Sequence, residues 1–432
     1  MTSIPPGPRQ PRPLQTLGWV ARIGPFLQRC QARYGDTFTL RIAQEGTWVM
    51  LSNPEDVRKV FTGDPRVLHA GEANVVLRPI LGHNSVLLLD EVAHMRQRKL
   101  LLPPFHGERM QRYGEVMREV AEREIDGWPS GQPFQLWPRM QAVTLEVIMR
   151  AVFGLEQGAR LDRLREILRH TLDWATRPTQ MFLMAALGPK RLEHLPRFRQ
   201  ALEPVDRELL DLIRARRRDP ALEERDDILS LLLLARHEDG SAMSDQELRD
   251  ELMTLLVAGH ETTATSLSWA LERLVRHPDK LERLREEALE GGDEYTDAVA
   301  KEALRLRPVL PIVLRRLTEP FEVGGYELPA GVAVAPCIYL VHRRPDVYPD
   351  PAAFRPERFL EQPAGTYTWI PFGGGVRRCI GGSFAVFEMK TVLSSIARRV
   401  SLTPADATSE RVVRRAITLT PNRGAEVIGA AA

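Results

Sequence analysis

One cysteine of this chain has neighbours that could make it a metal ligand or a nucleophile. Cys379 follows the glycine-rich stretch Phe372–Arg378 and precedes a run from Gly382 onward that is typical of a helix. The unpaired N–H groups and the positive end of that helix would favour the thiolate over the thiol. A zinc site is disfavoured, because no second cysteine or histidine lies at ligand spacing. A nucleophilic role stays open, because a helper histidine need not be a sequence neighbour.

A polar pair lies in the middle of what the sequence predicts to be a core helix. The pattern begins at a capping box of Ser244 and Glu247 and runs to Arg276, which is about 32 residues or about 48 Å of helix. Apolar or small side chains occupy nearly every face of its middle part, so burying Glu261 and Thr262 there would destabilise the protein unless the pair has a function. An acid beside an alcohol can relay protons. The alternative is a threonine bonded back to the carbonyl four residues earlier, with an exposed acid.

Two further pairs have helical spacing but carry a weaker signal. His94 and Arg98 stand at i and i+4, so they could bind one anionic group or simply belong to a basic helix face. Glu302 and Arg305 stand at i and i+3, a spacing common in exposed ion pairs of small energetic value. Arg358 could extend this second pair into a network of three.

The composition is that of a globular protein without general affinity for polyanions. Of 432 residues, 43% are apolar and 27% are charged, and the net charge is only +2, so we expect no nucleic-acid partner. The three cysteines, Cys30, Cys337 and Cys379, exclude a disulfide framework and fit a reducing cytoplasm. The longest apolar stretches are too short to cross a bilayer, so we expect no transmembrane anchor.

Helical patterns dominate the chain, and strand patterns concentrate in three regions. These regions are residues 30–60, 310–340 and 400–425. Helices and strands interleave without the regular βαβ rhythm of a parallel sheet, so we expect mainly α structure with a smaller β portion, an α+β fold. No linker or internal repeat divides the sequence, so residues 1–432 are predicted to form one domain.

Taken in order along the chain, these residues resemble the cytochrome P-450 family, the haem-thiolate monooxygenases. The family's cysteine signature, Phe-x-x-Gly-x-Arg-x-Cys-x-Gly, is met in full, and the resemblance runs from Pro5 to Pro421. Three more family motifs occur in the family's order: the His-x-x-x-Arg of bacterial members, the oxygen-binding signature, and Glu-x-x-Arg. The matching residues are His94 and Arg98; Ala258, Gly259, Glu261 and Thr262; Glu302 and Arg305 with Arg358; and Phe372, Gly375, Arg377, Cys379 and Gly381.

The resemblance implies a cytochrome P-450 fold with haem b held between the central helix and the helix after the cysteine. Cys379 would ligate the iron, and a thiolate there pushes electron density that favours O–O cleavage. Glu261 and Thr262 would deliver protons, while Ala258 and Gly259 would leave space for O₂. The implied haem contacts are His94, Arg98, Ala258, Gly259, Arg315, Phe372, Gly373, Arg377 and Gly381, and the implied structural network is Glu302, Arg305 and Arg358.

The implied reaction inserts one oxygen atom from O₂ into a hydrophobic small molecule. A terpenoid, steroid, fatty acyl or macrolide-like substrate fits, because the segments expected to line the pocket are mostly apolar. Electrons would come from a separate ferredoxin and its reductase, and we expect a cytoplasmic monomer. A cationic face for an acidic donor would comprise Arg96, Lys99, Arg377 and Arg378. The pocket segments are Asn74–Leu88, Met181–Leu187, Leu255–Thr262, Val309–Val313 and Ile417–Leu419.

Two alternative functions stay open. A peroxygenase or a haem-thiolate isomerase would need no electrons from a partner, although Thr262 argues against both, because peroxide-using members often lack the acid–alcohol pair. A haem-binding sensor or carrier without turnover would normally need a second output domain, and the sequence pattern shows no boundary for one.

Overall fold

The computed structural model describes residues 3–105, 107, 109–154, 158–175 and 187–431. Within these ranges helices predominate and the strands form small sheets, so the predicted mainly α architecture with a smaller β portion is confirmed. None of the helices in these ranges is long and apolar enough to cross a membrane. The helices are α1 Arg12–Ala21, α2 Ile23–Tyr34, α3 Pro54–Thr62, α4 Arg78–Leu81, α5 Glu91–Leu101, α6 Arg109–Asp126, α7 Leu136–Phe153, α8 Ala159–Ala175, α9 Pro189–Leu192, α10 Pro196–Arg217, α11 Ile228–Leu234, α12 Asp245–Leu274, α13 Pro278–Glu290, α14 Glu294–Leu306, α15 Ile338–Val341, α16 Arg358–Glu361 and α17 Gly382–Arg399.

Most strands fall in the three predicted regions. They are β1 Thr37–Ile42, β2 Gly46–Leu51, β3 Leu68–His69, β4 Pro133–Gln135, β5 Arg315–Leu317, β6 Phe321–Val323, β7 Tyr326–Leu328, β8 Ala333–Pro336, β9 Val400–Pro404, β10 Val412–Arg415, β11 Thr418–Pro421 and β12 Glu426–Ala431. Of these, β3, β4 and β12 lie outside the predicted regions. The largest sheet has the order β1-β2-β8-β5-β3. Its strand β5 pairs antiparallel with β8 and carries Arg315 opposite Val334, which fixes one predicted haem contact on a rigid element.

The central helix α12 is held by a reciprocal cap at its start. The Ser244 hydroxyl accepts the N–H of Glu247 at 3.2 Å, and the Glu247 carboxylate accepts the N–H of Ser244 at 2.8 Å. The helix is buried over most of its circumference and packs against α7, α10, α14 and α17. It ends at Leu274, two residues before the predicted Arg276, because the N–H groups of Arg276 and His277 bond three residues back instead of four.

Candidate active site

A hydrogen bond from Cys379 back to Phe372 closes the cysteine loop. The Cys379 N–H donates to the Phe372 carbonyl at 3.0 Å, and the Arg378 N–H donates to the Gly375 carbonyl at 3.0 Å. Gly373 and Gly375 adopt φ angles of 67° and 64°, which glycine takes at little cost. The chain then enters α17, so the cysteine stands at a helix start as the sequence predicts.

Two of the loop glycines face helix α3. A Cβ at Gly374 would lie 2.1 Å from the Phe61 ring, and a Cβ at Gly375 would lie 1.9 Å from the Phe61 carbonyl oxygen. These two glycines therefore let the loop pack against α3. Gly381 differs, because a Cβ there would meet no described atom within 4 Å. The side of the loop that Gly381 faces is therefore not filled by described protein atoms.

The thiol of Cys379 lies in a concave part of the surface. Its side chain is accessible to solvent, yet so much protein surrounds it that desolvation raises the pKa of the thiol. The Gly381 N–H and the charges of Arg98 and Arg378 pull this pKa down, but burial outweighs them. The prediction that the loop favours the thiolate is therefore wrong for the polypeptide alone, and a bound metal cation would reverse the balance.

Four basic side chains converge beside Cys379. Burial lowers the pKa of His94 to about 3, and the charges of Arg377, Arg98 and Arg315 add to the effect, so this imidazole is neutral at pH 7. Burial also lowers the pKa of Arg315 and of Arg377 to about 10, and each is further lowered by a neighbouring arginine. Buried like charges are costly without a counter-ion. The cluster is therefore suited to an anionic group.

Arg377 already forms hydrogen bonds and an ion pair within the protein. Its guanidinium donates to the carbonyls of Val86, at 3.2 Å, and Leu89, and to the carboxylate of Asp90. Asp90 also accepts the backbone N–H groups of residues 70–72 at 2.8 to 3.0 Å. Sequence reasoning missed Asp90, which offsets one of the three arginine charges. Positive charge therefore remains for a ligand.

The backbone of Val86 joins this site to the central helix. Its N–H donates to Oε1 of Glu251 on α12 at 2.8 Å, while its carbonyl accepts from Nη1 of Arg377 at 3.2 Å. Burial raises the pKa of Glu251 to about 8, although the hydrogen bond from the Val86 N–H opposes the rise. The backbone of one residue therefore contacts a carboxyl through its N–H and a guanidinium through its carbonyl. Neither contact was predicted.

The predicted proton-relay pair makes two separate contacts. Thr262 donates its hydroxyl to the Ala258 carbonyl at 2.7 Å, which is the back-bonded arrangement weighed above as the alternative. Glu261 accepts from the Thr418 hydroxyl at 3.0 Å. Burial raises the pKa of the Glu261 carboxyl, so this acid is not the exposed one of that alternative. A buried acid with a raised pKa can hold a proton and release it.

An accessible face interrupts the buried surface of α12. Leu255, Ala258 and Thr262 lie on this face and are accessible, although the turns on both sides of them are buried. An exposed alanine inside a core helix indicates a cavity against it. Gly259 points elsewhere, because a Cβ there would lie 3.1 Å from Ile148 of α7. The expectation that Gly259 leaves space for O₂ is therefore wrong, since this glycine lets α12 approach α7.

Glu302, Arg305 and Arg358 form one buried ion network. Arg305 donates to the Glu302 carboxylate through Nε and Nη2 at 2.7 and 2.9 Å, and Nε of Arg358 reaches the same carboxylate at 3.2 Å. Sequence reasoning missed His342, whose carbonyl accepts from Arg305 at 2.8 Å and whose Nε2 accepts the Ile370 N–H at 2.8 Å. The network therefore reaches the start of the cysteine loop.

Comparisons with known proteins agree with this geometry. A family model described as Cytochrome P-450 matches residues 5–427. The chain belongs to the cytochrome P-450 family. It is 45% identical over 435 residues to the protein called cytochrome P-450 135B1 of Mycobacterium tuberculosis, covering 98% of this chain and 91% of that protein. It is 39% identical to cytochrome P-450 138 of the same organism, covering 98% and 96%. The solved structure of retinoic acid-bound cyanobacterial CYP120A1 superposes with a TM-score of 0.84 at 27% identity, covering 100% of both chains.

Cytochrome P-450 proteins bind haem b, iron protoporphyrin IX, and the residues of this site fit that group. Its two propionates would complement the positive charge of Arg98, Arg315 and Arg377, which Asp90 only partly offsets, and the neutral His94 could add a hydrogen bond. The clear side of the cysteine loop at Gly381 would admit a flat ring. Cys379 would ligate the iron. When bound, haem supplies the activation of O₂, while the protein positions and tunes it.

Proposed function

We propose that this cytochrome P-450 inserts one oxygen atom of O₂ into a hydrophobic substrate of terpenoid, steroid, fatty acyl or macrolide-like type. The observation that supports it is the accessible face of α12 formed by Leu255, Ala258 and Thr262. A cavity that meets two apolar side chains and one hydroxyl favours an uncharged molecule with few polar groups. Another predicted pocket segment, Met181–Leu187, lies outside the described residues except for Leu187.

In this proposal two side chains of the central helix transfer protons. The Thr262 hydroxyl stands at the cavity wall, bonded to the Ala258 carbonyl, and would turn to donate toward oxygen in the cavity. Glu261, whose raised pKa lets it hold a proton, would replace the proton that Thr262 gives up. Thr418 orients the Glu261 carboxyl through its 3.0 Å hydrogen bond.

A separate ferredoxin and its reductase supply the electrons in this proposal. Arg378 is exposed, and its charge acts on Cys379, which favours docking of an acidic donor close to the ligand. Arg96 and Lys99 contribute less than the sequence predicts, because each forms an ion pair with a carboxylate of residues 238–239, at 2.8 and 2.5 Å.

Turnover assays separate this function from the alternatives. The haem-loaded protein is given NADPH, ferredoxin, ferredoxin reductase and hydrophobic compounds that change the spin state of the ferric iron. We expect product that depends on NADPH and O₂, and little product with hydrogen peroxide alone. Equal product with peroxide alone would establish a peroxygenase, and haem binding without turnover of any compound would favour a sensor.

The electron-donor surface has its own test. Arg378→Glu should slow reduction of the iron by ferredoxin in stopped-flow measurements, because it places a negative charge opposite an acidic donor. Arg41→Glu reverses the charge of another exposed arginine, on β1, and should leave the rate unchanged. Equal rates for the two variants would remove Arg378 from the docking surface.

A further inference from the structure

The first helix of the fold turns its apolar side chains outward. In α1, Leu14 is 55% exposed, Leu17 is 60% exposed and Val20 is 49% exposed, whereas Gln15 and Trp19 are buried. At about 100° of rotation per residue, the three exposed side chains fall within one sector of about 120°, opposite the two buried ones. A surface helix normally presents the reverse arrangement. This outward apolar face therefore needs an explanation.

Anchors on the inner side fix the rotation of α1. The Gln15 side chain donates to the Gln10 carbonyl at 2.7 Å and accepts the backbone N–H of Arg41, on β1, at 2.8 Å. The Trp19 ring packs edge-on against Trp48, with ring centroids 5.2 Å apart. Turning the helix to bury its leucines would break these contacts and leave the Gln15 amide unsatisfied. The outward apolar face is therefore built into the fold.

The segment that carries this face is positively charged. Residues 1–35 contain five arginines and no Asp or Glu, although the whole chain has a net charge of only +2. All five arginines are exposed, and within the described ranges none of them is paired with a carboxylate. Two of them stand before or at the start of α1 and one follows its end. The five are Arg9, Arg12, Arg22, Arg29 and Arg33.

We propose that α1 binds the surface of an anionic lipid bilayer. The helix would lie in the plane of the membrane, with Leu14, Leu17 and Val20 among the upper acyl chains and the arginines against the headgroups. Ten residues make a helix of about 15 Å, which can lie on a bilayer but cannot span it. A second copy of the chain is a poorer occupant, because the arginines around two facing α1 helices would repel.

Vesicle co-sedimentation of the haem-loaded protein tests the proposal. We expect binding to vesicles that mix phosphatidylglycerol with phosphatidylcholine, little binding to phosphatidylcholine alone, and weaker binding at high salt. Leu17→Asp should weaken binding about tenfold or more, because it places a charge in the apolar face. Arg12→Gln should weaken it about fivefold, the value of one basic residue near such a surface. Leu289→Asp alters another exposed leucine, 64% exposed at the end of α13, and should bind like the unaltered protein.

Three outcomes would overturn the proposal. Binding that does not distinguish the two kinds of vesicle removes the role of the arginines. Equal binding by Leu17→Asp and Leu289→Asp removes the role of α1. A dimer in sedimentation velocity that Leu17→Asp dissociates would assign the face to a second copy of the chain. Arg12→Gln changes only a solvent-exposed side chain, so it keeps the test valid if Leu17→Asp fails to fold.

Discussion

The backbone N–H of Ile370 donates to Nε2 of His342 at 2.8 Å, and this bond connects the buried ion network to the cysteine loop. Because Nε2 accepts, the imidazole proton lies on Nδ1, 3.2 Å from the Arg305 carbonyl. Burial and the neighbouring arginines hold the pKa of His342 well below its usual range, so the ring is neutral. A neutral histidine thus transmits the position of Arg305 to the loop that carries Cys379.

Replacing His342 should loosen that loop. His342→Ala leaves the buried Ile370 N–H without a partner, so we expect a loss of about 1–3 kcal/mol in the free energy of unfolding and less haem-thiolate absorption in the reduced, carbon monoxide-bound spectrum. His237→Ala removes another buried imidazole and should leave the haem-thiolate absorption at the level of the unaltered protein. Equal haem-thiolate absorption in the two variants would show that His342 does not position the loop.

Two glycines of the cysteine signature should respond differently to alanine. Gly375→Ala puts a Cβ 1.9 Å from the Phe61 carbonyl at a φ of 64°, so we expect loss of the folded loop, seen as a lower melting temperature even without haem. Gly381→Ala meets no described atom and has a φ of −84°, so its haem-free melting temperature should stay unchanged while haem affinity falls. Loss of haem-free stability in Gly381→Ala would contradict this assignment.

The basic cluster predicts opposite effects with and without haem. Arg315→Met removes a buried charge that Arg377 repels, so the haem-free protein should become more stable toward urea. The same variant should release haem faster to an acceptor protein, because a propionate loses a partner. Arg316, the next residue on β5, donates instead to the Gly331 carbonyl at 2.9 Å, so Arg316→Met should leave haem release unchanged. Faster release from both variants would argue against a specific contact.

Thr262 should control how well NADPH oxidation is coupled to product. Thr262→Ala removes the hydroxyl that donates to the Ala258 carbonyl, so we expect NADPH consumption to continue while product falls about tenfold or more, the scale of lost proton transfer. Thr262→Ser keeps a hydroxyl and should restore most of the product. Full coupling in the alanine variant would remove Thr262 from the proton relay.

Glu251 should make stability fall as the pH rises. Its pKa is about 8 in the folded chain against an ordinary value of 4.5, so its contribution is fully present below about pH 4.5 and is lost as the pH rises through about 8. Glu251→Gln still accepts the Val86 N–H but cannot ionise, so the free energy of unfolding, measured in urea across this range, should vary less with pH. Glu115→Gln, at an exposed position on α6, serves as the control, and identical profiles for the two variants would contradict the prediction.

The sequence predicted the parts of the site that depend on local patterns. The cap of α12 at Ser244 and the helix start after Cys379 follow from residues close together in the chain. The family motifs added the ligand and the basic residues. What could not be predicted is how distant segments meet: Phe61 against Gly375 and Val86 against Glu251 each join residues more than 160 positions apart. Periodicity describes the face of one element, not the residue that will cover it.

The backbone of Val86 connects the central helix with the basic residues beside Cys379. A molecule that binds beside α12 and shifts Val86 must also alter the bond from Arg377, whose charge lies among the residues around Cys379. Reciprocity then requires that a change in charge at Cys379 alter the affinity for that molecule by the same factor. For the proposed function, the affinity for such a molecule and the reduction potential of a haem iron held by Cys379 would then change together.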